Sequence, residues 1–284
     1  MQSRSALIVA LLTLVAAWPL SVSAGTAGEE TATLGDTSLA VFTYRPTGCT
    51  PAGLLLVFHG LDRNASTYRD DAAQLADRFC LLVAAPLFDR ERFPDWRYQR
   101  GGIVKDGKIR DSAQWTGWYV VKLADWLRRQ EAKPDMPYWV IGHSAGAQFL
   151  SRFAAFIPNQ ARRIVIANPS TWVLPSLAEA APYGFGGVPS AEALLQRYLA
   201  APVTVLLGQE DTGSKNLVEN DEAEAQGATR FARGESTFHQ AEAVARQHGW
   251  PFNWRLLVVP GVGHNAQSMF ASPEAADALG GPGR

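Results

Sequence analysis

The most constraining feature of the sequence is an apolar run that ends in a serine flanked by two glycines. Residues 138–141 are apolar, Gly142-His143-Ser144-Ala145-Gly146 follows directly, and residues 148–156 have a helix-compatible composition. A G-x-S-x-G motif between a strand and a helix is typical of a sharp, strained turn that exposes the serine hydroxyl. The flanking glycines allow other backbone segments to pass close to that turn. The stretch predicts a nucleophile at Ser144; the alternative is a turn that binds a ligand or only connects the two elements.

Length, composition and charge narrow the class of protein. The chain has 284 residues, of which 47% are hydrophobic and 19% charged, and its formal net charge is −1. This is ordinary globular composition, and the length suits one large α/β domain. Because no long run of one charge sign occurs, we expect neither nucleic acid nor an anionic membrane as partner, and we expect a small-molecule substrate.

The N-terminus has the pattern of a secretory signal peptide. Arg4 precedes an apolar stretch, residues 6–20, and Val22-Ser23-Ala24 offers small residues for cleavage after Ala24. The apolar stretch is shorter than the roughly 20 residues that a membrane-spanning helix needs, so an uncleaved anchor is the weaker alternative. We therefore expect residues 1–24 to be removed and the mature protein to be secreted or periplasmic, with no stable membrane anchor.

Residues 25–284 are predicted to form a single α/β domain on a mostly parallel sheet with helices on both faces. Residues 39–44 alternate like an antiparallel strand, and residues 25–37 are either a loose lead-in or an edge strand. Continuous apolar runs, typical of strands buried on both faces, occupy residues 54–58, 81–86, 138–141, 163–168, 203–208 and 254–259. Helices are predicted from residue 64 or 66 to 79 and over residues 111–130, 148–156 and 238–248, and a polar loop over residues 212–230.

Two longer segments leave their roles open. Residues 87–110 crowd arginines and aromatic side chains around two glycines. They form either a wall of the substrate site or an ordinary packed insertion. Residues 169–200 are mixed in character, and Trp172 within them either lines a pocket or belongs to the core.

Four predicted strands end in residues suited to hydrolysis. These ends carry His59-Gly60-Leu61, Ser144, Glu210-Asp211 and His264, and functional residues of parallel sheets gather at the carboxyl ends of strands. A serine hydroxyl needs a base to accept its proton, a neutral imidazole is suited to that near pH 7, and a carboxylate orients the imidazole. Either carboxylate of the pair at 210–211 could take the last role.

These motifs resemble the α/β-hydrolase family over nearly the whole mature length. The order Ser144, Asp211, His264 is that family's order of nucleophile, acid and base, and the resemblance favours Asp211 over Glu210. It implies an eight-stranded-type, mostly parallel sheet, and an oxyanion hole formed by the N–H groups of Leu61 and Ala145.

Within that family, the signal peptide, the His-Gly loop and residues 259–264 resemble secreted esterases of the polyhydroxybutyrate-depolymerase and feruloyl-esterase groups. Those groups often have cysteine where this chain has Leu61. Their polymer-degrading members usually carry a linker and a separate binding domain, which this sequence lacks. A soluble ester is therefore favoured over an insoluble polymer.

Cys49 and Cys80, the two cysteines of the chain, each precede an apolar strand run. If those strands are parallel neighbours, both cysteines lie at the same edge of the sheet, and an oxidising compartment permits a disulfide between them. Their number and spacing do not fit a metal site, so neither a metal nor a cofactor is expected.

The sequence thus predicts a secreted serine hydrolase that cleaves carboxylic esters through an acyl-enzyme. A peptidase, lipase or acyltransferase would use the same three residues, and a catalytically silent binding protein on the same scaffold is the weakest alternative. His59 and Trp172 are the candidate substrate contacts. His59 is also expected to brace the oxyanion loop, and Trp172 is equally well interpreted as a core aromatic.

Overall fold

The strands follow the apolar runs of the sequence. The computed structural model describes residues 25–280, so the predicted signal peptide lies outside the described residues. Within them the strands are β1 (Thr26–Thr33), β2 (Ser38–Arg45), β3 (Gly53–Phe58), β4 (Leu81–Pro86), β5 (Val104–Lys105), β6 (Lys108–Ile109), β7 (Tyr138–His143), β8 (Ile164–Ala167), β9 (Val203–Gly208) and β10 (Arg255–Val259). Of the two possibilities for residues 25–37, the edge strand is the one that forms.

Eight of these strands form one sheet in the order β1-β2-β4-β3-β7-β8-β9-β10. β1 and β2 pair antiparallel, as do β2 and β4, and every later neighbour is parallel. This confirms the predicted eight-stranded, mostly parallel sheet. β5 and β6 form a separate two-stranded hairpin inside the segment 87–110, which the sequence had left irregular.

Nine α-helices lie within the described residues. They are α1 (Ala65–Asp71), α2 (Ala73–Phe79), α3 (Trp118–Gln130), α4 (Ala145–Phe156), α5 (Ala191–Ala200), α6 (Asp221–Glu224), α7 (Arg230–His248), α8 (Ala266–Phe270) and α9 (Pro273–Leu279). The helix predicted up to residue 79 is divided into α1 and α2, and α7 begins eight residues before the predicted helix over 238–248. Within residues 25–280 none of the helices has the length and apolar composition needed to cross a bilayer.

Two hydrophobic layers cover the two faces of the sheet. Successive side chains of a strand point to opposite faces of the sheet. In β3, Leu54, Leu56 and Phe58 therefore pack into one layer, and Leu55 and Val57 pack into the other. The first layer contains side chains of α3, α4, α5 and α7, and the second contains side chains of α1, α2, α8 and α9. Full burial of each such side chain contributes about 1.5–3 kcal/mol. The predicted placement of helices on both faces is confirmed.

Cys49 and Cys80 form the predicted disulfide, with a Cα–Cα distance of 6.2 Å. β3 and β4 are parallel neighbours, and each cysteine lies just before one of them. The backbone N–H of Ala52 also donates to Cys80 O at 2.9 Å. The disulfide therefore joins two chain segments that the sheet already holds together at its amino edge.

Candidate active site

Ser144 lies at a sharp turn between β7 and α4. Its backbone dihedrals are φ 56° and ψ −116°, a strained conformation for a residue with a side chain that costs on the order of 1–3 kcal/mol. The backbone is held on both sides, because Ser144 N–H donates to Ala167 O and Ser144 O accepts from Gln148 N–H, both at 3.0 Å. The strain is thus maintained by β8 on one side and by the first turn of α4 on the other.

The two glycines of the motif are required by close backbone contacts. A Cβ added to Gly142 would lie 2.7 Å from the carbonyl carbon of Gly146, and one added to Gly146 would lie 2.1 Å from Phe58 O. Both separations are far below van der Waals contact, and both involve backbone atoms, which cannot move aside. The end of β3 and the start of α4 therefore approach each other at a distance that only glycine allows.

Ser144, His264 and Asp211 form a continuous chain of hydrogen bonds. Ser144 Oγ lies 3.0 Å from His264 Nε2, and His264 Nδ1 lies 2.6 Å from Asp211 Oδ2. Because a carboxylate accepts hydrogen bonds, Nδ1 must carry the proton, which leaves Nε2 free to accept from the serine hydroxyl. This is the tautomer that a general base acting on Ser144 requires.

The parallel pairing of β9 with β10 brings the acid and the histidine together. Beyond the paired strands, Gln209 N–H donates to Val259 O at 3.0 Å and Glu210 N–H donates to Val262 O at 2.9 Å. These bonds tie the turn after β9 to the turn before His264. Asp211 is buried and contacts His264, whereas Glu210 is exposed. Of the two carboxylates that the sequence offered, Asp211 is the one that contacts His264.

Arg230, at the start of α7, is a site residue that the sequence did not reveal. Its Nη1 lies 3.4 Å from Asp211 Oδ1, and the guanidinium also donates to the carbonyls of Gly213 and Lys215 at 3.3 and 2.6 Å. Burial lowers the pKa of Arg230, and the charge of Asp211 opposes that shift. Arg230 thus holds the second oxygen of the carboxylate that orients His264, together with the loop that follows it.

Asn168 is a second positioning residue that the sequence did not reveal. It is buried at the end of β8, in the left-handed region with φ 49°. Its Oδ1 accepts from Gly208 N–H at 2.8 Å. The bond fixes the end of β9, three residues before Asp211.

His59 supports the loop that follows β3. The side chain is completely buried, its Nε2 accepts from Phe88 N–H at 3.0 Å, and its Nδ1 donates to Gly60 O at 3.0 Å. Tyr98 Oη donates to His59 O at 2.9 Å. Burial lowers the pKa of His59 to about 4, and Gly60 O opposes that shift. The imidazole is therefore neutral at pH 7 and braces the loop that carries Leu61.

Leu61 and Ala145, the predicted oxyanion donors, lie on the two segments that adjoin Ser144. A Cβ added to Gly60 would lie 3.8 Å from Ser144 Cβ, so the loop that continues to Leu61 runs beside the serine. Ala145 is the first residue of α4, and the first N–H groups of a helix have no partner within it. Their placement is compatible with the predicted role.

The two predicted substrate contacts are both buried, which is a correction to that prediction. His59 and Trp172 have 0% exposure, so neither presents an atom to solvent. Trp172 belongs to the core on the α4 side of the sheet, and its backbone exchanges two hydrogen bonds with the side chain of Gln226. In the structure His59 braces the loop and Trp172 is a core aromatic, which are the other roles that the sequence had offered for them.

An open cleft of about 320 Å³ lies over Ser144. It is lined by Gly60, Leu61, Asp62, Asn64, Thr67, Tyr68, Asp71, His143, Ser144, Asn216, His264, Asn265, Ala266 and Gln267. Neither the segment 87–110 nor the segment 169–200 contributes to this lining. In residues 25–280 no three His, Cys, Asp or Glu side chains group as ligands for a metal ion.

Comparison with solved structures places this geometry in a known superfamily. LpqC, a poly(3-hydroxybutyrate) depolymerase from Bordetella parapertussis, is 33% identical, with a TM-score of 0.81 over 89% of this chain and 95% of its own. Poly(aspartic acid) hydrolase-1 from Sphingomonas sp. KT-1 is 32% identical, with a TM-score of 0.83 over 89% of this chain and 98% of its own. The Pyrococcus furiosus esterase Pf2001, at 15% identity and a TM-score of 0.53 over 96% of this chain and 97% of its own, shares the fold alone. No protein-family model and no curated protein sequence matches.

The chain belongs to the α/β-hydrolase superfamily and is a hydrolase. The resemblance that its motifs indicated is thereby confirmed.

Proposed function

We propose that the protein is a serine esterase that cleaves carboxylic esters through a covalent acyl-enzyme. The observation that carries this proposal is the hydrogen-bonded chain from Ser144 through His264 to Asp211, at 3.0 and 2.6 Å. Such a chain activates a hydroxyl that is otherwise a weak nucleophile. All three groups are present, which argues against a silent binding protein.

The reaction proceeds in two halves. Ser144 Oγ attacks the ester carbonyl while His264 Nε2 takes the hydroxyl proton, and the N–H groups of Leu61 and Ala145 stabilise the resulting oxyanion. His264 then returns the proton to the leaving alcohol as the C–O bond breaks. In the second half His264 takes a proton from water, the hydroxide attacks the acyl carbonyl, and Ser144 leaves with that proton as the acid is released. Asp211 orients His264 throughout and stabilises its protonated form.

Similarity to LpqC, which is named for its action on a polyester, supports an ester substrate. The name of the Sphingomonas relative points to poly(aspartic acid), an amide-linked polyanion, and makes an amide hydrolase the second candidate. Here, however, the cleft is lined by Asp62 and Asp71, with no lysine or arginine among its lining residues. Since like charges repel, a soluble ester without negative charge is the favoured substrate.

A secreted or periplasmic location fits the same proposal. The N-terminal 24 residues have a signal-peptide pattern, and the Cys49–Cys80 disulfide is characteristic of an oxidising compartment. We propose cleavage after Ala24, and N-terminal sequencing of the exported protein is the direct measurement.

Replacement of Ser144 tests the proposal. Ser144→Ala should lower kcat for 4-nitrophenyl acetate by about 10⁴-fold or more and should abolish labelling by a fluorophosphonate. Ser236→Ala, on α7 and away from the cleft, is the matched control and should leave both unchanged. Labelling that survives Ser144→Ala would show that another residue is the nucleophile.

A panel of matched esters and anilides separates the esterase from the amide hydrolase. An esterase cleaves only the esters, whereas an amide hydrolase cleaves both.

A further inference from the structure

One hollow in the described residues is distinct from the cleft over Ser144. It measures about 570 Å³ and shares none of its lining residues with that cleft. Phe156, the last residue of α4, lines it, whereas Ser144 immediately precedes the first residue of α4. A 12-residue helix is about 18 Å long. A molecule in this hollow is therefore not the acyl group attached to Ser144.

The hollow is built by the two segments whose roles the sequence left open. The segment 87–110 contributes Arg110 to its lining, and the segment 169–200 contributes Val188 and Arg197. The aromatic part of the lining is Trp115, Trp118 and Phe156. Both indole N–H groups are already engaged, because Trp115 Nε1 donates to Arg110 O at 3.2 Å and Trp118 Nε1 to Ser112 O at 2.9 Å. The tryptophans thus offer apolar ring surface to the hollow rather than hydrogen bonds.

Arg197 is a half-buried cation in this apolar wall without an acidic partner. Its Nη2 donates to Ala155 O at 3.2 Å, and no ion pair within residues 25–280 includes it. Burial lowers its pKa, with no acidic group opposing the shift. A guanidinium has five N–H donors, so this one keeps donors available for a ligand.

The remaining charges of the wall do not neutralise Arg197. Arg110 adds a second guanidinium, which is bound to Gly102 O and to Gln114. Asp111 is the one carboxylate among the lining residues; it is exposed and accepts from Ala113 N–H at 3.0 Å. The wall therefore combines aromatic surface with an excess of positive charge.

We propose that this hollow is a second ligand site, which binds a small molecule with an aromatic body and one carboxylate group. The rings of Trp115 and Trp118 contact the aromatic body, and Arg197 binds the carboxylate. The volume lies within the range of about 300–1,000 Å³ that is usual for small-molecule sites. An arginine and a carboxylate fit each other in planar geometry, with hydrogen bonds stronger than those between neutral groups. This site is independent of the chemistry at Ser144.

Calorimetric titration with two probes of equal shape tests the charge requirement. The probes are 2-naphthoate and the neutral 2-naphthamide, and the protein is the mature chain carrying Ser144→Ala. We expect one site that binds 2-naphthoate at least tenfold more tightly than 2-naphthamide. Equal affinity for the two probes, or no binding of either at millimolar concentration, would overturn the proposal.

Two variants locate the binding. Arg197→Met removes the charge but keeps the apolar stem, and it should weaken 2-naphthoate binding about tenfold while 2-naphthamide binding stays unchanged. Arg246→Met, near the end of α7 and outside the hollow, is the control and should alter neither. Unchanged 2-naphthoate affinity in Arg197→Met would place the ligand elsewhere and refute the site. Because binding is measured without turnover, this outcome is separate from the failure or success of the proposed esterase.

Discussion

At the residue scale, Arg230 shows how a buried charge supports the candidate active site. Burying an unpaired guanidinium is unfavourable by several kcal/mol, and here Asp211 and two backbone carbonyls offset that penalty. The same contacts fix the carboxylate of Asp211, which accepts a hydrogen bond from His264 Nδ1. Arg230 does not line the cleft, so it acts through Asp211 as a positioning residue.

Arg230→Met is expected to lower kcat by about 10–100-fold, because a small displacement of a catalytic group has effects of that size. KM should change little, since Arg230 does not reach the cleft. Steady-state kinetics with 4-nitrophenyl acetate measures both. Arg233→Met is the matched control: this buried arginine bonds to Gly227, Ser170 and Val218 but not to Asp211. Equal loss of kcat in both variants would mean that Arg230 matters only for stability.

Residue by residue, the sequence predicted the groups that end strands. Ser144, Asp211 and His264 could be singled out because each lies within five residues of the end of an apolar run, and their order along the chain then suggested their roles. Arg230 could not be predicted in this way. The residues before it form a polar stretch without periodicity, and only tertiary packing brings it to Asp211. The burial of His59 could not be predicted from the sequence either. Burial of a polar side chain depends on segments that are distant in sequence, here residues 87–110.

At the element scale, strands were easier to predict than helices. A strand buried on both faces is a continuous apolar run, whereas a helix is recognised by an apolar stripe of period 3.6. The first turns of α7 lack such a stripe, because they bury Arg230, Arg233 and Gly234. Short helices α8 and α9 span too few turns for a period to appear, and α5 was hidden within a segment of mixed composition.

The loop after β3, together with α1, gives the cleft its charge. Asp62 and Asp71 both line the cleft and form no ion pair within the described residues. Both lie near the phenol of Tyr68, whose pKa is raised by burial first and then by the charges of Asp71 and Asp62. Two uncompensated carboxylates therefore act on any substrate bound beside Ser144.

Butyrate esters of choline, 3,3-dimethylbutanol and 2-hydroxyethanesulfonate test this field, because they differ mainly in charge. We expect kcat/KM to fall in that order, by about fivefold per step at low ionic strength and by less at high salt. The Asp62→Asn, Asp71→Asn double variant should remove most of the difference at pH 8. Asp135→Asn, on an exposed loop, is the control. A wild-type enzyme that prefers the sulfonate ester would contradict the charge argument.

At the scale of the whole molecule, two neutral histidines are buried beside Ser144. The pKa of His59 is lowered to about 4, and that of His143 is lowered well below its ordinary value by burial, by His264 and by Arg230. In the unfolded chain both regain a pKa near 6.5. Below that value the unfolded state binds more protons than the native state, so acid must destabilise the fold. Their contribution is complete above pH 6.5 and is lost as the pH falls toward 4.

The contribution of His59 can be isolated from its pH dependence. His59→Gln destabilises the protein at pH 7.5, because the bonds to Phe88 N–H and Gly60 O are disturbed. Between pH 6.5 and pH 5 the wild type loses the stabilisation that comes from the lowered pKa of His59. At 1.4 kcal/mol per pH unit, this loss is about 2 kcal/mol of unfolding free energy. The difference in unfolding free energy between wild type and variant, measured by urea denaturation, should therefore shrink by about that amount. His239→Gln, exposed on α7, should show the same small effect at both pH values. A difference for His59→Gln that is constant with pH would mean that the pKa of His59 is the same in the native and unfolded states. The native imidazole would then be protonated at pH 5, and it could not accept from Phe88 N–H as described.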